Sequence, residues 1–335
     1  MNDRTENLLL ALPGILLLGL AFFLPIAQML LLSISGPEGP TLAHFVRFLS
    51  DPYYLNILWR TVRLSLLITV ICALIGFPLA YIMTKVGPKL RLWLVVIVIL
   101  PLMTSVVVRT FGWMVLLSRS GMIPEMLRDM GLVGRTFALM QTEAAIVIGM
   151  VQVLLPFMTL SILGVLTRID GRLEEAARTM GCSFLQTIRT VVLPLALPGI
   201  VAGSLLCFTL SASSFVTPNL LGGTRIQVLA ASIYKSVTAT GPLRRRRPSS
   251  CSLASCWCWC PISNSREPSM VRAVPGWLHI VGIVFVALTA LILLAPLIVV
   301  IGVSVSESQF IAFPPNGLSL RWYQEVLSSN AYLNA

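Results

Sequence analysis

Charge is what this chain has least of. Asp, Glu, Lys and Arg make up 11% of its 335 residues, against 56% hydrophobic. Soluble domains carry about 25% charged residues. With a mean hydropathy of +0.89, the deficit excludes an ordinary soluble domain and places the chain in a membrane. A phosphate-binding loop is also missing. No Gly-x-x-x-x-Gly-Lys-Ser/Thr run occurs anywhere, so any ATP-derived energy must come from another subunit. Cofactors of the chain's own are not expected. The seven cysteines show neither a disulfide framework nor the short paired gaps of zinc sites. Acidic residues are absent from the interior of the first five apolar segments. That argues against a proton-coupled secondary transporter, which buries titratable groups at mid-membrane.

What is present is a series of six uncharged windows: Leu8–Ile34, Leu64–Thr84, Leu92–Val108, Ala144–Thr167, Leu193–Thr217 and Ile280–Ser306. Each is near the roughly 20 residues that cross a bilayer as a helix. The first is longer than the about 7–15-residue apolar core of a signal peptide and shows no small-residue cleavage pattern, so it reads as a retained span. Pro13, Pro25, Pro78, Pro101, Pro156 and Pro198 recur inside the windows. Membrane bundles tolerate such prolines because neighbouring helices satisfy the freed carbonyls. The fold class is therefore all-α, a polytopic membrane helical bundle. Cys72 and Cys207 lie within spans and read as packing residues. The net charge of +11 reflects Lys and Arg flanking membrane helices, augmented by Arg244–Arg247, and does not imply a nucleic-acid partner.

The connections order the chain. The link between the second and third windows, Lys85 to Arg91, is short and holds three basic residues, which favours the cytoplasm. Arg109 to Glu143 is a longer, mixed connection on the opposite side, and Arg168 to Val192 returns to the cytoplasm. That last loop reads RIDGRLEEAARTMGCSFLQTIRTVVLP. Asp170 is placed to cap a first short helix. Leu173, Ala176, Ala177 and Met180 form an apolar stripe at helical spacing, with Glu174 and Arg178 spaced to pair i,i+4 on the other side. Gly181 ends the helix. Ser183 with Gln186 makes a capping box for a second, whose apolar face is Phe184, Leu185, Ile188, Val191 and Val192. Read from helix periodicity alone, an ordinary amphipathic linker on the membrane surface is the favoured reading.

Glu175-Ala176-Ala177, three residues, Gly181, nine residues, Val191, one residue, Leu193-Pro194 resembles the EAA loop of ABC importer inner-membrane permeases. The family favours Ile where Val191 stands. The resemblance covers residues 8–241 and is closest to the subfamily that includes spermidine/putrescine permeases, through VRTFGWMVLLSRSGMI (108–123), LPLALPGIVAGSLL (193–206) and FVTPNLLGG (215–223). It implies the ABC importer permease fold. It also implies an inner-membrane location, a separate cytoplasmic ATPase dimer docking on Glu175, Ala176, Ala177 and Gly181 with Leu193 and Pro194 completing the motif, a second permease and a periplasmic solute-binding protein. ATP then drives alternating access, and the chain itself is not an enzyme. The cargo implied is a polyamine or another small organic solute. Where related polyamine permeases often carry acidic residues, this chain has Ser213, Ser214 and Asn219, the candidate substrate-path residues. The alternatives are a secondary transporter or a non-transporting membrane scaffold.

A sixth span is missing where that family has one. In its place stands PLRRRRPSSCSLASCWCWCPISNSREPS, with Cys251, Cys256, Cys258 and Cys260 separated by four, one and one residues. Cys256-Trp257-Cys258-Trp259-Cys260 must be encoded TGY TGG TGY TGG TGY. Read from the third base of the first codon, it becomes Leu-Val-Leu-Val. The expected organisation is a permease domain of five spans over 1–241, an out-of-frame connector over 242–269, and the first helix and periplasmic start of a second permease over 270–335. Residues 41–57 align without gaps to 319–335, with Leu42, Leu49, Ser50, Tyr54, Leu55 and Asn56 matching Leu320, Leu327, Ser328, Tyr332, Leu333 and Asn334. A chain so arranged is expected to assemble poorly and transport little.

Overall fold

The structure is a computed structural model. It describes scattered residues between 12 and 40, then residues 50–131, 133–134, 138–223, 225–239, 276–306, 317 and 319. The connector 242–269, its cysteines and the Arg244–Arg247 run lie outside the described residues, as do most of the two repeated segments and much of the Leu8–Ile34 window. Two units are distinguished, Met1–Trp59 and Arg60–Ala335.

In the first unit, residues 19–24 and 26–28 are helical, and Phe22 and Phe23 meet edge to face with centroids 5.5 Å apart. Ser35–Gly36 (β1) pairs antiparallel with Gly39–Pro40 (β2). Helix α1, Pro52–Lys85, begins here. The Asp51 carboxylate accepts the Tyr53 N–H at 2.9 Å, and Pro52 opens the first turn, where its missing N–H costs nothing.

In the second unit α1 continues, followed by α2 (Pro88–Ile99), a 3₁₀ turn at Leu100–Met103, α3 (Val106–Leu117) and α4 (Met122–Asp129). Then come α5 (Glu143–Leu166), α6 (Arg172–Thr179), α7 (Phe184–Thr187), a π turn (Ile188–Val192), α8 (Leu193–Ser213), α9 (Val216–Gly222), α10 (Leu229–Ala239) and α11 (Gly276–Ser304). Five stretches among the described residues are long and apolar enough to cross a membrane: Pro52–Lys85, Val106–Asp129, Glu143–Leu166, Phe184–Ser213 and Ile280–Ser304.

The third sequence window is therefore wrong as a span. Pro101 has no N–H to continue the helix. Thr104 turns back instead, its hydroxyl donating to the Pro101 carbonyl at 2.7 Å, and the helix restarts only at Val106. Arg109, expected to open a loop, lies buried inside α3. The first turns of the Arg109–Glu143 connection are thus helical.

Helix α5 is the hub. It packs along α8 and also touches α3 and α9. Lipid is as apolar as leucine, so membrane helices associate through close packing and not through expulsion of water. Gly199 and Gly203, four residues apart on α8, supply that closeness. A Cβ at Gly203 would lie 2.8 Å from Met158 Sδ, and one at Gly199 would lie 2.9 Å from Val165 Cγ2. Cys72 and Cys207 are fully buried in this core without a disulfide, and their thiols donate to the carbonyls of Val151 at 3.9 Å and Leu154 at 3.5 Å. Leu66, Val70 and Leu74 on α1 are exposed and present an apolar surface suited to lipid. Helix α11 packs on α3. Gly112 leaves room for it, since a Cβ there would fall 2.5 Å from the Pro296 carbonyl oxygen. The buried Gln152 amide of α5 donates to the Leu293 carbonyl at 3.0 Å, one turn before the proline that loosens the α11 ladder.

Candidate coupling loop and translocation path

The loop between α5 and α8 folds as a bent knob whose turns are closed by local hydrogen bonds. The Asp170 carboxylate accepts the Arg172 N–H at 2.9 Å. Helix α6 starts one residue later than the capping argument alone suggests, with Gly171 as its first flanking residue. At the other end Gly181 takes φ +88°. Its N–H donates to the Arg178 carbonyl at 3.0 Å and the Cys182 N–H donates to the Ala177 carbonyl at 3.1 Å. This is the paired Schellman arrangement, which places the residue after the cap in the left-handed region. Ser183 Oγ then accepts the Gln186 N–H at 3.4 Å, so half of the expected capping box forms. The chain enters α8 through the π turn, where the Leu193 N–H reaches back to the Ile188 carbonyl. Pro194 follows with no N–H of its own, and the wider turn absorbs that loss.

The expected side-chain pattern holds only in part. Leu173, Ala176 and Met180 do share a face, but that face is exposed, Met180 at 78%. Ala177 is buried and Glu175 exposed. The expected Glu174–Arg178 pair does not form. Glu174 turns inward, and the Lys85 ammonium at the end of α1 sits 2.6 Å from both its carboxylate oxygens. The Tyr81 hydroxyl donates to the same carboxylate at 3.2 Å. Arg178 instead lies over the Phe184 ring, 5.6 Å from its centroid. A buried carboxylate seeks a cation it can reach in a low-dielectric setting, and Lys85 offers one that is distant in sequence. The contact also places the Lys85–Arg91 link and the α6 loop on the same side of the bundle, as the orientation argument requires. Arg91 closes that link by donating to the carbonyls of Met83 at 2.9 Å and Thr84 at 3.0 Å.

At the opposite end, α8 stops at Ser213, and extended backbone at Ser214 leads into α9. The Ser213 hydroxyl is exposed and donates to the carbonyls of Thr209 at 2.9 Å and Leu210 at 3.3 Å. Ser214 and Asn219 are half-buried. Among the described residues, no side-chain hydrogen bond joins these three. What faces the bundle here is Thr217, whose hydroxyl lies 3.3 Å from that of Thr110 on α3. Both α8–α9 and α2–α3 are thus interrupted, and the resumed helices meet at this threonine pair. Interrupted helices are the usual way a membrane protein brings polar backbone to a solute path. Beside Thr110, on the buried face of α3, lie Arg109 and Trp113, whose Nε and Nη1 and Nε1 have no hydrogen-bond partner. No sequence window flagged Thr110, Arg109 or Trp113, because the window ended at Val108. Beyond α9, Gly223 takes φ +60° and Gln141 φ 63°. The Gln141 N–H donates to the Leu221 carbonyl at 2.9 Å, and a Cβ at Gly223 would lie 3.3 Å from the Gln141 side chain, so the double glycine seats the Gln141 loop against α9.

Among the described residues no cluster of three or more His, Cys, Asp or Glu side chains is placed to hold a metal ion. The chain's matches to known proteins agree with a transport architecture. Residues 73–306 match the family described as binding-protein-dependent transport system inner membrane component. The spermidine/putrescine transport system permease protein PotB of Haemophilus influenzae is 35% identical over 245 residues, covering 70% of this chain and 84% of that protein. PotB of Escherichia coli is 34% identical over 195 residues, covering 58% and 70%. The permease protein PotC of Haemophilus influenzae is 38% identical over 87 residues, covering 26% and 34%. A predominantly helical bundle with five candidate spans among the described residues and a family match over most of its length leave one assignment: the chain belongs to the inner-membrane components of binding-protein-dependent transport systems, a transport permease and not an enzyme.

Proposed function

We propose that the chain is the polyamine-carrying permease of an ATP-driven importer, coupled to its ATPase through the α6 knob. The observation that carries the coupling is the exposed face of Leu173, Ala176 and Met180 on a helix held at both ends by its own turn chemistry. A short apolar knob of fixed angle suits a cleft in a cytoplasmic ATPase dimer. Ala176 and Gly181 allow close approach, Glu175 adds a charge at the rim, and Leu193 and Pro194 carry the displacement into α8. Rigid-body movement of this kind is a standard route for switching. ATP is bound by the partner, a second permease completes the path, and a periplasmic binding protein delivers the solute.

The polyamine reading rests on the names of the PotB and PotC relatives. The path residues proposed here are Ser213, Ser214 and Asn219 around the α8–α9 break. They offer hydroxyl and amide oxygens but no carboxylate, so the countercharge for a polycation comes from the second permease or the binding protein. The test is ATP-dependent uptake of labelled spermidine into vesicles holding all the subunits. Competition by putrescine supports the reading, and uptake unaffected by any polyamine overturns it.

The division into 1–241, 242–269 and 270–335 belongs to the same proposal. Helix α11 packs closely on α3 and accepts one hydrogen bond from Gln152 of α5, which supports a second-permease helix serving this bundle in cis. The uptake deficit is then expected to arise from the connector. A version with the reading frame restored through codons 242–269 is expected to take up more solute than this chain, and equal uptake refutes the division.

A further inference from the structure

The knob is joined to the bundle by two routes. One is covalent, through the π turn into α8. The other is the cluster at the end of α1. Lys85 and Glu174 meet with side chains only 20% and 11% exposed, so water and salt screen them less than a surface pair. Lys85 also lies 4.9 Å from the Tyr81 ring centroid. Tyr81 stacks on Phe77 at 6.5 Å and meets Phe184 of the loop at 6.3 Å. Residues of α1 and of the loop thus form one continuous pile that ends with Arg178 over Phe184.

The two routes differ in kind. The π turn is a loosened helix followed by a proline, a place where helices bend. The α1 route is a charge-assisted contact, one ammonium on both oxygens of a carboxylate, onto the last residue of a helix of 34 residues that carries Pro78 within it and is about 51 Å long. Near its far end Arg60 and Arg63 both pair with Glu143, the first residue of α5. Helix α1 therefore reaches from the knob to the opposite face of the bundle and is held at both places.

We propose that Lys85, Glu174 and Tyr81 form a latch that makes the knob and α1 move as one body, so that displacement of the loop reaches the far side of the bundle through α1 as well as through α8. The three are positioning residues. They touch neither solute nor nucleotide. The inference rests on the coupling role proposed for α6, and its test separates the two.

The assay is ATP hydrolysis stimulated by loaded binding protein, in the full assembly reconstituted with this chain and, in parallel, with its frame-restored version. Capture of the ATPase by a crosslinker at position 176 is scored in the same preparations. Glu174→Gln and Lys85→Met are expected to cut the stimulation at least tenfold while the ATPase is still captured. The exchange pair K85E with E174K is expected to recover to within threefold of the parent, a rescue that loss of fold stability by two substitutions does not give. K85C with E174C, bridged by a short bis-methanethiosulfonate reagent that forms a disulfide with each thiol and releases a sulfinate from each end, is expected to leave stimulation intact, because the latch stays closed through the cycle. Parental stimulation in the single variants overturns the latch. So does an exchange pair as defective as they are, or a bridge that abolishes stimulation. If the single variants fail to reach the membrane, the bridged pair decides alone. Absence of capture in the unsubstituted chain instead overturns the coupling role, and the latch with it.

Discussion

Gly181 shows how much one backbone angle decides. At φ +88° an L side chain meets its own carbonyl, at a cost of about 1–2 kcal/mol. Gly181→Ala is expected to lower the stability of the purified chain by about that amount, read as a fall in its unfolding midpoint in detergent. Because the bend sets the angle between α6 and α7, ATPase capture at position 176 should fall with it. An unchanged midpoint would mean that the turn relaxes without consequence. This angle was legible in the sequence because its causes are local: a glycine after an apolar stripe, then a serine three residues before a glutamine. The Glu174 contact was not. Its partner lies 89 residues away, and only the folded bundle decides between Arg178, one turn along, and Lys85. The burial of Arg109 escaped for a related reason, since a charge at the edge of an apolar window reads as the start of a loop.

At the level of helices, apolarity located the spans better than their ends. Of the six windows, four correspond to α1, α5, α8 and α11, and much of Leu8–Ile34 lies outside the described residues. The third, Leu92–Val108, spans a break, because Pro, Thr and Ser are all admissible in membrane helices and hydropathy does not register how Thr104 turns back on Pro101. Packing between helices follows small residues, and two substitutions distinguish its terms. Gly112→Leu puts a Cβ 2.5 Å from the Pro296 backbone oxygen, an obstacle that no side-chain rotation relieves. Gln152→Leu removes one interhelical hydrogen bond, worth about 0.6 kcal/mol on average in membranes. Thermal unfolding in detergent is expected to show a large loss for Gly112→Leu and a slight one for Gln152→Leu. The reverse order would mean that the polar contact, and not the close approach, holds α11. Gly203→Leu at the α5–α8 contact is expected to cost about 1–3 kcal/mol by overpacking, visible in the same measurement.

Across the whole molecule the parts divide by side. The knob, the Lys85–Arg91 link and the latch lie at one end. The α8–α9 break, the Thr110–Thr217 pair and the Arg60–Arg63–Glu143 cluster lie at the other. On the coupling proposed above, the helices between them carry displacement from one end to the other. The family match over residues 73–306 fits this division, and the resemblance had already pointed to it through the spacing of Glu175, Gly181 and Leu193-Pro194. The most direct measurement compares photocrosslinkers at Ala176, which is exposed, and Ala177, which is 3% exposed, in membranes containing the full assembly. The account predicts capture of the ATPase subunit at 176 and little or none at 177. Capture of the periplasmic binding protein at 176, or of no subunit at all, would contradict it.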